Sequence, residues 1–375
     1  MKRIGIFGGT FDPVHNEHIA YAKSAIEELS LDTLFVIPTF IPPHKKSATP
    51  PSLRLKLAEL SFGNIPKVKV SDMEIKREGK SYSYLTVEEI KSENPSAELF
   101  FLVGADMLSD FFTWKKPERI LEIATLVCAE RQGETLPKII KDEFKARFNK
   151  DFIDLKFKGK EISSTKVRAL ISLGLSAKDY IPEAEEKFIV ENGIYSDKYS
   201  DYVKKNLPEK RRIHTAGVIE CAIKLAKRVG VDTEKARITA TLHDCAKYLK
   251  KEDYPDFSMP ADVPAPVEHA FLGAYIVEKV LDIKDEEIIS AIRYHTSGRE
   301  KMSELEKVIF VADMIEENRV YDGVDVLRSA VEKDFSSGFL LCLKEETEHI
   351  IKKKGPIYRE TLKAFDYYIK GIKGE

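Results

Sequence analysis

Long hydrophobic runs are missing from this sequence. No uninterrupted apolar stretch approaches the ~20 residues that a membrane-spanning helix needs, which excludes an integral membrane protein of the helical kind. Cysteine is sparse: Cys128, Cys221, Cys245 and Cys342 are dispersed and form no C-x-x-C pair. A disulfide scaffold and a thiolate zinc motif are thereby excluded, and a reducing, cytoplasmic setting with free buried thiols is expected. An excess of charge of either sign is also lacking. Sixty Lys and Arg face 62 Asp and Glu, for a formal net charge of −2, so no basic footprint for nucleic acid is present. Only four residues, Ile4 to Phe7, separate the basic start Met1-Lys2-Arg3 from the first glycine pair, too few for the apolar core of a signal peptide. Internal repeats and low-complexity tracts are absent, and tryptophan occurs once, at Trp114.

What is present is enough for two domains: 375 residues, 43% of them hydrophobic. Through the first half, short apolar runs alternate with helical periodicity. Ile4–Phe7, Thr33–Ile37, Val68–Val70, Leu99–Val103, Thr125–Ala129 and Phe152–Leu155 read as strands; Ile19–Leu29, Ser52–Phe62, Thr86–Glu93 and Pro117–Ile123 read as helices. Such alternation predicts an α/β doubly wound parallel sheet, with ligands beyond the strand carboxyl ends. From about Ser200 only helical spacing remains, in Val218–Val229, Ile238–Leu249, Ala270–Leu281, Asp285–Tyr294 and Glu304–Glu317. An all-α domain is expected there, giving domains 1–197 and 198–375.

Three stretches of the first half suit one polyphosphate. Gly8-Gly9-Thr10-Phe11-Asp12-Pro13-Val14-His15-Asn16-Glu17-His18 breaks a strand on two glycines and enters a helix with two histidines on one face. Glycines allow close approach of backbone N–H groups to an anion, and a helix start adds partial positive charge. His44-Lys45 places a cation on a proline-stiffened loop, and Ser163-Ser164-Thr165 with Arg168 puts hydroxyls, amides and a guanidinium at another helix start. Each alone is commonplace, since glycine pairs make turns and Ser-Ser-Thr makes caps; their joint occurrence in this order is what carries weight.

Together, Gly-Gly-Thr-Phe-Asp-Pro-x-His-x-x-His and Ser-Ser-Thr-x-x-Arg resemble the HxGH nucleotidyltransferase superfamily. Within it, the first half is similar to bacterial nicotinate-nucleotide adenylyltransferase, with Pro42-Pro43-His44-Lys45, Ser81 to Thr86, Gly104-Ala105-Asp106-Met107, Trp114 and Arg131 as further marks. The resemblance implies a Rossmann-like fold. It also implies that ATP, carrying Mg²⁺, meets Gly8, Gly9, Thr10, Phe11, Ser164, Thr165 and the catalytic donors His15, His18, Lys45 and Arg168. Nicotinate mononucleotide would be received around Tyr82 and Thr86 with Trp114 stacking, and Gly104, Asp106 and Arg131 would be further substrate-binding residues. The attacking phosphate is already ionised, so the chemistry asks for positioning and charge neutralisation rather than a general base. Glu17 departs from the pattern, which has glycine there; the expectation is a side chain directed away along the helix start, where acidic residues are favourable.

In the second half, His214, His243-Asp244, His269, His295 and Asp313 fall on or beside successive helices. His243 and Asp244, about 100° apart if helical, can both face a bundle core, where metals are held by inward side chains of facing helices. Oxygen and nitrogen donors without thiolate argue against structural zinc. His214-Thr215-x-Gly217, His243-Asp244-x-x-Lys247, His269-Ala270, His295-Thr296-x-Gly298 and Ala312-Asp313-x-Ile315-Glu316-x-x-Arg319 resemble the YqeK family of HD-domain phosphohydrolases, which split diadenosine tetraphosphate symmetrically. That resemblance implies iron or another transition metal, in two ions, with Lys247 as a catalytic cation and Arg299 and Arg319 as phosphate partners.

A bifunctional enzyme follows, acting on ATP with nicotinate mononucleotide and on a dinucleoside polyphosphate, with neither nucleic acid nor membrane as partner and with homo-oligomerisation left open. Alternatives remain at this level: another adenylyl acceptor such as phosphopantetheine, guanosine tetraphosphate or cyclic dinucleotides as the HD substrate, or a first domain that senses nucleotides to regulate the hydrolase.

Overall fold

The computed structural model describes residues 1–43, 49–131, 138–159 and 162–370. It divides into two compact units, residues 1–168 with 176–195, and residues 169–175 with 196–375.

In the first unit the chain runs β1 (Arg3–Gly9), α1 (Asn16–Glu28), β2 (Thr33–Pro38), α2 (Pro51–Phe62), β3 (Val68–Val70), α3 (Met73–Arg77), α4 (Ser83–Glu93), β4 (Glu98–Gly104), α5 (Ala105–Phe111), α6 (Pro117–Ile123), β5 (Ala124–Arg131), α7 (Lys138–Phe148), β6 (Ile153–Gly159), the start of α8 (Ser164–Ser172), whose residues from 169 on count with the second unit, and α9 (Glu183–Glu191). The strands form one sheet in the order β3-β2-β1-β4-β5-β6, every pair parallel. This is a doubly wound Rossmann-like sheet, and its strand order reverses between β1 and β4. Helices cover both faces, so the central strands are apolar throughout: Leu99 to Val103 of β4 are all buried. Ile4, Ile6, Leu99, Phe101 and Val103 serve one core, Phe7, Leu34, Val36, Phe100 and Leu102 the other.

Register sets the ligand edge. Gly9 pairs with Pro38 and Gly104 with Ala129, so β1, β2, β4 and β5 release their loops at one level. At Gly104-Ala105-Asp106 the chain passes directly from β4 into α5, with Gly104 as the N-cap. The short helices α3 and α5 left no periodicity long enough to read.

The second unit is helical: α10 (Lys198–Asn206), α11 (Glu209–Val229), α12 (Thr233–Leu242), α13 (Ala265–Lys279), α14 (Glu286–Tyr294), α15 (Glu304–Ile315), α16 (Val324–Lys333), α17 (Phe335–Lys352) and α18 (Arg359–Phe365). No strand occurs among its described residues. Its core joins Val218, Ala222 and Leu225 of α11 to Ala240, Ile276, Ile292, Val308 and Val311. One expectation fails here. Ile238–Leu249 is not one helix: α12 ends at Leu242, and residues 243–249 continue as tight turns closed by Cys245 N–H to Leu242 O, Lys247 N–H to Asp244 O and Leu249 N–H to Ala246 O. His243 and Asp244 are therefore presented from a helix end. From these turns both side chains face inward, His243 into one ligand group and Asp244 into the other. Among the described residues, no helix is long and apolar enough to cross a membrane.

Candidate functional sites

In the first unit the loop after β1 is held from several sides. Ser164 Oγ donates to Pro13 O at 3.0 Å, Arg168 Nη1 to Asp12 O at 2.6 Å, and Arg168 Nη2 to Thr165 Oγ1 at 3.1 Å. Two stretches about 150 positions apart thus form one wall, as their joint reading required. His15 caps α1, and its N–H donates to His18 Nδ1 at 3.1 Å. That bond leaves the proton of a neutral His18 on Nε2, where it can be donated to a phosphate oxygen. The two rings stack 3.6 Å apart.

The glycines have distinct reasons. A Cβ on Gly9 would lie 2.8 Å from the Phe11 ring, whereas no described residue stands within 4 Å of one on Gly8. Gly9 is required by packing; Gly8 borders open space. Phe11 itself is buried against Phe7, Phe62 and His18, so its side chain supports the loop and only its backbone is available to a ligand. Glu17, second residue of α1, brings Oε2 to the carboxyl end of β6, 2.7 Å from where a Cβ of Gly159 would be. Its carboxylate rests on that strand end, beside a residue with no side chain to displace it.

Around the expected acceptor, Tyr82 caps α4 and Lys115 Nζ lies 4.3 Å over its ring. Trp114 is half-buried, edge-on to Phe101 at 6.0 Å, with a buried Nε1–H that meets no hydrogen-bond acceptor among the described residues. Thr86 does not present its hydroxyl to a ligand: Oγ1 donates to Glu74 Oε1 at 2.5 Å and accepts from Arg77 Nη2 at 2.7 Å. Lys45 lies outside the described residues, as do the side chains of Asp106 and Arg131.

Three supports went unnoticed in the sequence. Arg54, 1% exposed, donates to Thr10 O (2.9 Å), Phe40 O (2.9 Å), Thr49 O (3.1 Å) and Thr39 Oγ1 (3.3 Å), tying the loops after β1 and β2 together. Glu185 Oε1 accepts from Val14 N–H at 3.1 Å and Oε2 from Ser61 at 2.5 Å; burial pushes this carboxyl up to about 8. Tyr195 donates to Asp12 Oδ1 at 2.9 Å. Arg54 was findable, because it shares the buried stripe of α2 with Leu57, Ala58 and Ser61. Glu185 was not, standing in a run of acidic residues.

In the second unit all six expected ligands converge. His214, His243 and Asp313 form one group and Asp244, His269 and His295 another, with donor atoms within 4.8 Å of one another in each. His214 Nε2 is 3.0 Å from Asp313 Oδ1, and Asp244 Oδ1 is 3.2 Å from His269 Nε2 and 3.6 Å from His295 Nε2. Yet among the described residues His214 Nε2, His243 Nε2 and Asp244 Oδ1 are buried without an aligned hydrogen bond. Lone pairs crowded together and left unsatisfied are costly unless a cation accepts them. This donor set fits transition-metal ions. Burial pushes His243 down to about 4, which keeps its imidazole neutral, as a ligand must be. Burial opposes ionisation of Asp313 too, but His214, His243 and Arg319 outweigh it and hold the carboxyl well below its usual range. Cys245 is buried beside the cluster, and burial pushes its thiol up to about 12, so it offers no thiolate.

The cations sort differently. Lys247 Nζ reaches His269 Nε2 at 3.0 Å, and Arg319 bonds both the carbonyl of Asp313, at 2.7 Å from Nε, and its carboxylate. Arg211, not singled out beforehand, meets Asp244 Oδ2 at 3.0 Å; it lies one turn before His214 on α11. Arg299 is not brought to the cluster's carboxylates. Its guanidinium pairs twice with buried Glu306, at 2.6 and 2.8 Å, which also accepts from Ser290 and from the Ser303 N–H.

Comparison with known proteins follows the same division. A cytidylyltransferase-like family matches residues 6–170 and an HD domain matches residues 211–318. "Probable nicotinate-nucleotide adenylyltransferase/Ap4A hydrolase" of Mycoplasma pneumoniae is 30% identical over 90% of this chain and 97% of its own. "Probable nicotinate-nucleotide adenylyltransferase" of Clostridium tetani is 38% identical over 52% of this chain and all of its own. "Bis(5'-nucleosyl)-tetraphosphatase, symmetrical" of Bacillus subtilis is 41% identical over 45% of this chain and 95% of its own.

Proposed function

We propose a function from one premise: the chain belongs to the nicotinate-nucleotide adenylyltransferase/Ap4A hydrolase family. It is a bifunctional enzyme, with adenylyl transfer in domain 1–197 and phosphohydrolysis in domain 198–375. In the first reaction a phosphate oxygen of nicotinate mononucleotide attacks the α-phosphorus of ATP, the bond to the bridging oxygen breaks, and deamido-NAD and pyrophosphate leave. His15, His18, Lys45 and Arg168 neutralise the charge that develops on the leaving group, aided by the Mg²⁺ that accompanies ATP. Gly8, Gly9 and Thr10 give backbone N–H groups, and Tyr82 and Trp114 hold the pyridine nucleotide. The stacked His15/His18 pair, fixed at the start of α1, is the observation that supports this assignment of roles.

In the second reaction water adds to a central phosphorus of diadenosine tetraphosphate and ADP departs, leaving a second ADP. Two ions, iron or another transition metal, would be held by His214, His243 and Asp313 and by Asp244, His269 and His295. When bound they supply Lewis acidity and activate water. Lys247 and Arg319 draw the phosphate chain in, and Arg211 keeps Asp244 oriented. The orphaned, buried donors on His214, His243 and Asp244 carry this reading.

One experiment tests both halves on the full chain. Pyrophosphate release from ATP with nicotinate mononucleotide, and no comparable release with phosphopantetheine, is expected, with loss in His18→Ala. Diadenosine tetraphosphate should give ADP alone. AMP with ATP, or turnover unaffected by His18→Ala, refutes the corresponding half. A hydrolysis rate that changes with added ATP, without pyrophosphate release, would favour the nucleotide-sensor reading instead.

A further inference from the structure

Four histidines aim Nε2 into the cluster, and their Nδ1 atoms meet different partners; that of His269 faces Lys247 Nζ at 3.5 Å. His243 Nδ1 meets Ala240 O and His295 Nδ1 meets Ile292 O, each a backbone carbonyl at 2.7 Å. His214 alone meets a carboxylate, Glu316 Oε1, at 3.0 Å. Glu316 is 1% exposed, and its other oxygen is anchored by the Asn318 N–H at 2.7 Å and Asn318 Nδ2 at 2.9 Å.

Its position comes from the way α15 ends. Asp313 lies in the last turn of that helix and Glu316 is its C-cap, in extended backbone (ψ 156°). One segment therefore sets a carboxylate at each ring nitrogen of His214: Glu316 bonds Nδ1, and Asp313 Oδ1 stands 3.0 Å from Nε2 as its neighbour in the donor group. The opposing helix has made room. A Cβ on Gly217 would stand 2.1 Å from Glu316 Oε2, an impossible approach, so the carboxylate fits only because α11 carries glycine one turn beyond His214. Glycine is a poor helix former. Its place in the middle of a 21-residue helix is otherwise unexplained.

We infer that Glu316 is a positioning residue for one of the two metal ions, holding the His214 proton on Nδ1 so that the Nε2 lone pair faces the His214/His243/Asp313 group, and that Gly217 exists to admit it. The inference rests on the metal reading above. A carboxylate behind a ligating imidazole fixes its tautomer and raises its donor strength. In the Asp244/His269/His295 group the Nδ1 atoms meet the Ile292 carbonyl and Lys247 Nζ, with no carboxylate among the described residues, so the two ions depend on Glu316 unequally.

The test is Co²⁺ titration of the chelator-stripped full chain, read by bound metal per chain and by the visible cobalt bands. The metal-free thermal midpoint serves as the folding control. Wild type should bind two ions. Glu316→Ala should bind one of them about 10- to 100-fold more weakly, the range for losing such a partner, and the other unchanged. Gly217→Ala should reproduce that loss, and adding Gly217→Ala to Glu316→Ala should cost nothing more, because the space is then free. Two equal affinities in Glu316→Ala, or equal weakening of both ions, would overturn the inference. So would a Gly217→Ala effect that persists undiminished without Glu316. If Glu316→Ala does not fold, Gly217→Ala decides on the same ten-fold criterion. A wild type that takes up no Co²⁺ refutes the metal reading itself, a different failure.

Discussion

Glu185→Gln offers a sharp test of how the phosphate loop is supported. The wild-type carboxyl is fully buried between Val14 and Ser61, and burial pushes it from the ordinary Glu value of 4.5 up to about 8, against the pull of the Ser61 and Val14 hydrogen bonds. Folding therefore favours the protonated form. The folded chain binds a proton that the unfolded chain has released between those two values, so stability is full below about 4.5 and falls as pH rises to about 8. Each pH unit in that window removes about 1.4 kcal/mol, on the order of 5 kcal/mol in all. Glutamine cannot ionise, keeps an acceptor for Val14 N–H and can donate to Ser61. Between pH 5.5 and 7.5 the wild type should thus lose roughly 2.7 kcal/mol relative to Glu185→Gln, a relative shift of about 1 M in urea midpoint. Trp114, the only tryptophan, lies in the first unit and reports its unfolding without contribution from the second. Urea curves of wild type and variant that stay parallel across this range would refute the argument.

Arg54→Met should cost about 2–4 kcal/mol, because the Thr10, Phe40 and Thr49 carbonyls lose their donor; Trp114-monitored unfolding and a raised KM for ATP check it. Arg299→Ala should destabilise the second unit by about 2–4 kcal/mol by leaving Glu306 buried without its cation. Calorimetry checks that, and hydrolase KM should stay unchanged. Stripping metal with a chelator should abolish hydrolysis of diadenosine tetraphosphate and leave adenylyl transfer intact once Mg²⁺ is restored, as paired assays on one preparation would show.

Much of the fold was readable because period and length were unambiguous. Leu99–Val103 is apolar on both faces and short, as a strand covered on both sides is, and α6 at Pro117–Ile123 begins on proline, as helices often do. Where elements are short, as in α3 and α5, or where a helix gives way to turns at His243, periodicity is too brief to register a boundary.

Sequence alone determined the chemistry available: which donors exist, their order, and the absence of thiolate or basic patches among them. Tertiary structure decided their use. Arg299 and Arg319 look alike in a sequence, but Arg299 spends its charge on Glu306 while Arg319 braces Asp313. Glu185 and its acidic neighbours look alike too, and only packing buries one of them beneath Val14. The role of Gly217 depends on a carboxylate about a hundred positions away. Such contacts between distant segments are set by packing, and no local pattern encodes them.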